Sequence, residues 1–99
     1  MNKPNELPVP PQIISATSST EVARIWITED SQYFTVATSL WEDPAAWGLI
    51  LVDLARHVAN AYEQADGTPA RDVLNRLKEA FDAEWDSPTD EPVGEISAE

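Results

Sequence analysis

The sequence predicts a small α+β domain of ββαα order, a β-hairpin followed by an antiparallel two-helix hairpin. Two short segments alternate apolar and polar residues, and two longer segments show apolar residues at helical spacing. Each helical segment also follows a polar residue and a proline, a common helix start. We expect an extended, proline-rich arm at residues 1–20, the folded domain at 21–85 and an acidic, mostly disordered tail at 86–99.

The arm holds four prolines within residues 1–11 and no apolar periodicity. Proline fixes φ and lacks an amide donor, so we expect a polyproline-like conformation. Whether Ile13 and Ile14 add a third strand is left open by the pattern. Neither a secretory leader pattern nor an apolar run of about 20 residues occurs, so we expect a cytoplasmic protein that does not bind membranes.

The hairpin is predicted from residues 21–28 and 33–41, which alternate with the period of a half-buried strand. A turn centred on residues 30–31 would place Ile27 opposite Phe34 and gather the apolar side chains on one face. This predicted core face consists of Ala23, Ile25, Ile27, Phe34, Val36 and Leu40.

The first helix is predicted to begin at Asp43 and Pro44, where a carboxylate can accept free amides and proline loses no donor. It should run to about Ala65 and stop at Gly67 in a left-handed conformation. Its apolar residues cover more than half of the circumference, so we expect burial on more than one side. It can pack between the hairpin and the second helix, and another subunit is the alternative contact.

The second helix is predicted to start at the Thr68–Pro69 pair, with Thr68 as its cap, and to end near Trp85. It has a single apolar stripe, typical of an amphipathic helix that covers a core. The stripe contains Val73, Leu74, Leu77, Ala80, Phe81 and Trp85.

Composition excludes several classes of protein. Eighteen acidic residues against six basic ones give a net charge of −12, which opposes direct binding to nucleic acid or to anionic membranes. The chain has no cysteine, one histidine and three glycines, so we expect no disulfide, no metal site, no phosphate-binding loop and no cofactor. The acidic cluster near the C-terminus lacks the spacing of a calcium loop and indicates a solvated helix end. Its members are Asp82, Glu84, Asp86, Asp90 and Glu91.

A domain of about 65 ordered residues buries too little surface for a monomer of ordinary stability. A lone hairpin also leaves the backbone hydrogen-bonding groups of both edges unpaired. We therefore expect a homodimer, formed either by joining the hairpins into one sheet or by packing the first helices together.

Two groups of residues are candidate sites. Arg24, Trp26 and Tyr33 lie on the hairpin face opposite the predicted core face, with the composition of an interaction hot spot. In the alternative interpretation, which we favour, the arm or a partner subunit covers them.

The second group is Asp53, Arg56, His57 and Tyr62 on the first helix, a candidate for ligand binding or proton transfer. Asp53 and His57 are four residues apart, a spacing that can orient an imidazole. A surface ion pair or a dimer contact explains the same spacing without any chemistry, and we favour that explanation.

The stretch W-E-D-P-A-A-W-G at residues 41–48, together with 54–62, 81–85 and 88–90, resembles a family of short bacterial proteins. That family is a domain of unknown function, the one numbered 5076, and the resemblance covers about residues 24–90. The resemblance implies one intact domain and a bacterial source. It assigns no role to any residue.

From the residues themselves, we expect a small intracellular protein-interaction or regulatory domain that acts by binding, with itself and another protein as partners. Acidity suits a basic partner, because charge complementarity speeds encounter. One alternative is an acidic protein that mimics nucleic acid. The other is a minor enzyme or small-ligand binder at a dimer seam, although the chain lacks a recognisable nucleophile–base pair.

Overall fold

A computed structural model describes residues 3–88 together with the backbone of residues 96–98. The elements are α1 (Pro11–Ile14), β1 (Ala23–Ile27), β2 (Gln32–Val36), α2 (Ala45–Asp66), α3 (Ala70–Asp86) and β3 (Ile96–Ala98). A two-stranded antiparallel hairpin followed by two helices is therefore confirmed. Most of the predicted disordered tail lies outside the described residues.

The third strand of the sheet comes from an unexpected part of the chain. Ile13 and Ile14 belong to the short helix α1 and form no strand. Instead β3 pairs with β2 in parallel, giving the strand order β1-β2-β3. Because β3 occupies one edge of β2, β1 is left as an edge strand.

The hairpin register differs from the predicted one by two residues. Ile25 lies opposite Phe34 and Ala23 opposite Val36, so the turn is centred on residues 29–30. The side chain of Thr28 explains the shift, because its Oγ1 accepts the Ser31 amide at 3.1 Å while the Thr28 amide donates to the Ser31 carbonyl at 2.9 Å. A shift of two residues preserves the face of every side chain, since strand side chains alternate with period two.

Both ends of α2 form as predicted. The Asp43 carboxylate accepts the Ala45 amide at 2.9 Å, and Pro44 has helical dihedral angles, with φ −58° and ψ −16°. Gly67 ends the helix with φ +80°, and its amide donates to the Glu63 carbonyl at 2.9 Å. The left-handed conformation favours glycine because it has no Cβ.

The start of α3 does not depend on Thr68, contrary to the prediction. Thr68 donates its hydroxyl and its amide to Asp66 Oδ1, at 2.7 and 3.0 Å. The free Ala70 amide donates to Glu63 Oε2 at 3.0 Å. A carboxylate from the preceding helix therefore takes the capping position, because the short link brings the end of α2 beside the start of α3.

The sheet and the helices do not form one core within the chain. Helices α2 and α3 contact each other, but no Cα atom of a described strand lies within 8 Å of a Cα atom of any helix. The backbone distances therefore do not place α2 between the hairpin and the second helix within the single chain. Only Ala37 and Ala59 are buried apolar residues in the described part of the chain.

The overall dimensions agree with this open arrangement. The radius of gyration is 15.8 Å, against about 13 Å for a compact domain of this length. The accessible surface is 8979 Å², whereas a compact chain of this size would expose about 5,600 Å². Across the described residues, no helix has the length and apolar composition needed to cross a membrane.

Candidate interaction surfaces

The first candidate surface is the predicted core face of the hairpin, which points to solvent in the single chain. Ile27 is 77% exposed and Ile25 is 55% exposed, whereas Phe34 and Val36 are half-buried. The sequence correctly groups these residues on one face. No helix Cα atom lies within 8 Å of a Cα atom of these strands, which agrees with the exposure of Ile25 and Ile27.

The second candidate surface lies on the helix pair. Ala59 is fully buried in the second half of α2, but apolar side chains in the first half are exposed. On α3, Phe81 stacks on Trp85 with ring centroids 5.5 Å apart, yet Trp85 is 74% exposed. We call these exposed residues together the open helix end; on α2, Leu51 and Leu54 lie on one side of the helix and Leu49 and Val52 on the opposite side. The set is Leu49, Leu51, Val52, Leu54, Phe81 and Trp85.

A tryptophan pair marks the corner between the sheet and α2. The rings of Trp41 and Trp47 meet edge to face with centroids 5.5 Å apart. Trp47 is half-buried and Trp41 is more exposed. These contacts give the segment between β2 and α2 a defined path, which sets where α2 begins relative to the sheet.

The third candidate surface is the outer face of the hairpin, which brings Arg24, Trp26 and Tyr33 together as predicted by their alternation. Trp26 lies opposite Tyr33 across the two strands. The Arg24 guanidinium carbon is 5.9 Å from the Trp26 ring centroid, within the range of a cation–π contact. Trp26 is half-buried although no helix covers this face.

The N-terminal arm reaches this outer face through a residue that the sequence pattern did not single out. Glu6 Oε2 accepts a hydrogen bond from Arg24 Nη1 at 2.9 Å, and Glu21 Oε2 lies 3.1 Å from Arg24 Nε and from Nη2. The hydrogen bond to Glu21, followed by the attraction of its charge and that of Glu6, raises the pKa of Arg24. Arg24 thus stays charged and holds two carboxylates while it lies against Trp26.

The four polar candidates on α2 do not form one cluster. Asp53, Arg56 and His57 lie on one side of the helix and are exposed. No ion pair within 4.0 Å joins Asp53 to His57 among the described residues. Tyr62 follows Asp53 by nine residues, which is two and a half helical turns, so it lies on the opposite side.

Tyr62 instead lines a shallow groove of about 400 Å³ where α2 meets α3. The lining also includes Asp66 and Thr68 from the link and the residues Asp72, Val73, Arg76, Leu77 and Ala80 of α3. Hydrogen bonds from the Thr68 hydroxyl and then from its amide lower the pKa of Asp66. These bonds are made within the link itself, and they order the turn beside the groove.

Within residues 3–88 and 96–98, no group of three or more His, Cys, Asp or Glu side chains is arranged to hold a metal ion. Asp90 and Glu91 of the acidic cluster lie outside the described residues. In the same part of the chain, no side-chain polar atom is buried without a hydrogen-bond partner. The prominent features of the described residues are exposed apolar and aromatic side chains.

The fold is thus that of a small ββαα protein with a short parallel third strand and large exposed apolar faces. The chain belongs to the family described as Domain of unknown function (DUF5076), whose model matches residues 6–89. This confirms the resemblance seen in the W-E-D-P-A-A-W-G stretch.

A solved structure from the photosynthetic bacterium Rhodopseudomonas palustrus CGA009, named there a "putative pyruvate dehydrogenase", is similar to this chain. The two are 33% identical, with a TM-score of 0.72, and the match covers 94% of this chain and 95% of that chain. The search of curated proteins gives no match.

Proposed function

We propose that this chain is a small protein-interaction domain that works as a homodimer and acts by binding. The observation that carries the proposal is the exposure of two apolar surfaces, the predicted core face and the open helix end. Isolated exposed apolar residues are ordinary on a monomer, but contiguous apolar faces mark interaction sites. The proposal keeps the cytoplasmic location predicted above.

The surface area supports a second copy as the first partner. The chain exposes about 3,400 Å² more than a compact chain of its size. The excess is counted over all 99 residues, so the arm, which is exposed at every described position from 3 to 20, and the residues outside the described part account for a share of it. Burying even a quarter of it would reach about 800 Å² per partner, the size of a standard stable interface.

Solution mass tests the homodimer directly. We expect light scattering to give twice the chain mass over a wide concentration range. Ile27→Glu should give a single-chain mass at concentrations where the wild type is dimeric, because it would place an unpaired charge in the interface. A single-chain mass for the wild type at high concentration would contradict the proposal.

Ile14→Glu is the matched control. Ile14 is 75% exposed, nearly as much as Ile27, but it lies in α1, which contacts none of the other elements. The same apolar-to-acidic change there should leave the dimer intact. If both variants dissociate equally, added negative charge and not the predicted core face is responsible.

The outer face is the proposed site for a different protein. Its aromatic pair and arginine have hot-spot composition, and the acidity of the chain favours a basic partner. Trp26→Ala should abolish capture of a specific protein from the native host, and Tyr62→Ala should not. Capture that is insensitive to salt would contradict the electrostatic part of this proposal.

A second candidate function comes from the name of the similar structure, which points to pyruvate as a ligand. Calorimetric titration with pyruvate tests it, with His57→Ala as the variant. Loss of binding with an unchanged melting temperature would support a ligand site at the polar side of α2. No heat of binding for the wild type would remove this candidate.

A further inference from the structure

We propose that the two copies of the homodimer exchange layers, so that the predicted core face of one copy packs on the open helix end of the other. This inference rests on the homodimer proposed above and names the two surfaces that meet. It predicts two equivalent cores per dimer, each built from the sheet of one chain and the helices of its partner.

The first argument is that each chain carries exposed apolar side chains on its sheet and on its helix pair, the two surfaces that a core normally brings together. Small α+β domains are stable when an apolar sheet face is covered by an apolar helix face. Here the sheet face carries Ile25 and Ile27 in the open, and the helix pair carries Leu51 and Leu54 in the open. No Cα atom of a described strand lies within 8 Å of a helix Cα atom of the same chain, and a second copy can supply the layer that these exposed side chains lack.

The second argument concerns where the helices are open. A three-residue link joins α2 to α3, and the two helices contact each other, so the chain turns back on itself. The first half of α2 therefore lies beside the last half of α3. Most of the exposed large apolar side chains of both helices lie at this end, and Tyr62 and Leu77 are the exceptions nearer the link.

The lengths of the elements also fit this arrangement. Five-residue strands are about 17 Å long. The 22 residues of α2 extend about 33 Å, so half of the helix matches the length of a strand. The first half of α2 can thus cover the partner's sheet while its second half, which contains Ala59, packs on α3.

The third argument is the corner between the two layers. The Ala37 amide donates to the Val22 carbonyl at 3.0 Å, and Ala37 is buried. A few residues later, Trp41 packs edge to face on Trp47 at the start of α2. The segment between the layers thus has a contact at each end, and no helix Cα atom lies within 8 Å of a strand Cα atom. Exchange of identical elements through such a connecting segment is a common route to dimers.

The competing arrangement places sheet face on sheet face and helix end on helix end. In that dimer, each five-residue strand pair would be covered by an equally small sheet instead of by helices. Layer exchange instead gives each small sheet face a helical cover, which is the usual solution for an antiparallel sheet.

Cysteine cross-linking tests the exchange, because the natural chain contains no cysteine. Ile27→Cys marks the sheet face and Leu51→Cys marks the open helix end. The two variants are unfolded, mixed, refolded and treated with a short bis-maleimide. We expect cross-linked product from the mixture and little from either variant alone.

The expected enhancement is large. Thiols held close together in a dimer have an effective concentration in the millimolar range, so at micromolar protein the specific product should exceed background on the order of a hundredfold. Replacing Ile27→Cys by Ile14→Cys in the mixture gives the matched control and should return the yield to background. Circular dichroism of each variant confirms that the helices form.

The double variant Ile27→Cys with Leu51→Cys separates the remaining outcomes. Cross-linked dimers support exchange, whereas an intramolecular cross-link in a chain of single mass would overturn it. If Ile27→Cys and Leu51→Cys each cross-link to themselves, the dimer packs sheet on sheet and helix end on helix end. That result would overturn the exchange and would still support the homodimer. If folded wild type and variants all have single-chain mass and do not cross-link, the homodimer and the exchange both fail.

Discussion

The helix pair and the sheet differ in how far their apolar side chains are buried within a single chain. The helix pair has its own interior residue, Ala59, and its ends are closed by Asp43, Glu63 and Gly67. The two strands of the hairpin are paired in register over five residues, yet Ile27 on the predicted core face is 77% exposed. Hydrogen bonds and caps are satisfied locally, whereas apolar burial requires a second layer.

The two faces of the hairpin repeat this contrast. The outer face carries the polar ion pairs and holds the arm through Glu6 and Arg24. The predicted core face carries the aliphatic residues, and Ile25 and Ile27 on it are exposed in the single chain. Variants that alter one region and spare the other therefore test whether the two regions are stabilised independently.

The largest effect is expected from Ala59→Leu in the helix pair. Ala59 is fully buried, and added methylene groups in a packed site cost about 1–3 kcal/mol of stability. Thermal unfolding should show the loss, and Ala61→Leu on the exposed surface of α2 is the control. If Ala59→Leu and Ala61→Leu have equal melting temperatures, the helix pair is not packed as described.

Gly67→Ala should destabilise the helix pair by about 1–2 kcal/mol, because a side chain at φ +80° is strained. Neither Gly67 nor Gly48 has an atom within 4 Å of an added Cβ, so steric overlap does not enter the comparison. Gly48→Ala, inside α2, should instead stabilise by about 0.5–1 kcal/mol. Chemical denaturation measures both, and shifts of the same sign would contradict the backbone assignment.

Glu6→Gln tests whether the arm is held on the outer face. The Glu6–Arg24 pair is exposed, and such pairs contribute about 0–1 kcal/mol. We expect little change in melting temperature but a change in Trp26 fluorescence, which high salt should reproduce in the wild type. Glu29→Gln in the hairpin turn removes the same charge without touching Arg24, so an equal spectral change there would argue against the contact.

The smallest effect is expected from Thr68→Val. Hydrogen bonds from Thr68 lower the pKa of Asp66 from its ordinary value of 3.8, so they stabilise the fold when Asp66 is ionised. This contribution is fully present above pH 3.8 and is lost as the pH falls through the lowered pKa. The melting-temperature difference between wild type and variant should therefore shrink on acidification. A difference that grows at low pH would mean that Thr68 acts by another route.

Much of the fold was predictable because its signals are local. Asp43, Pro44 and Gly67 specify where α2 begins and ends, and each acts within a few residues of its own position. The alternation of β1 and β2 assigns side chains to faces. The register prediction failed because the Thr28 hydroxyl selects the turn, and a side-chain hydrogen bond is not visible in apolar periodicity.

The candidate sites were predicted less well. Alternation correctly placed Arg24, Trp26 and Tyr33 on one face. The sequence did not reveal Glu6 as a partner of Arg24, because an arm without regular structure has no periodicity to locate it. Likewise, Glu63 caps α3 from seven residues away, a contact that exists only after the link has formed.

The sequence by itself determined the two strands, the two main helices, the helix ends and the separation of apolar from polar faces, because these depend on short-range sterics and spacing. The tertiary structure decided that β3 joins β2 and that the helices lie away from the sheet. Both features depend on contacts between segments far apart in sequence. An apolar face in the sequence indicates that it must be buried, but not against which element. Whether the helices of the same chain cover it depends on the path of the whole chain.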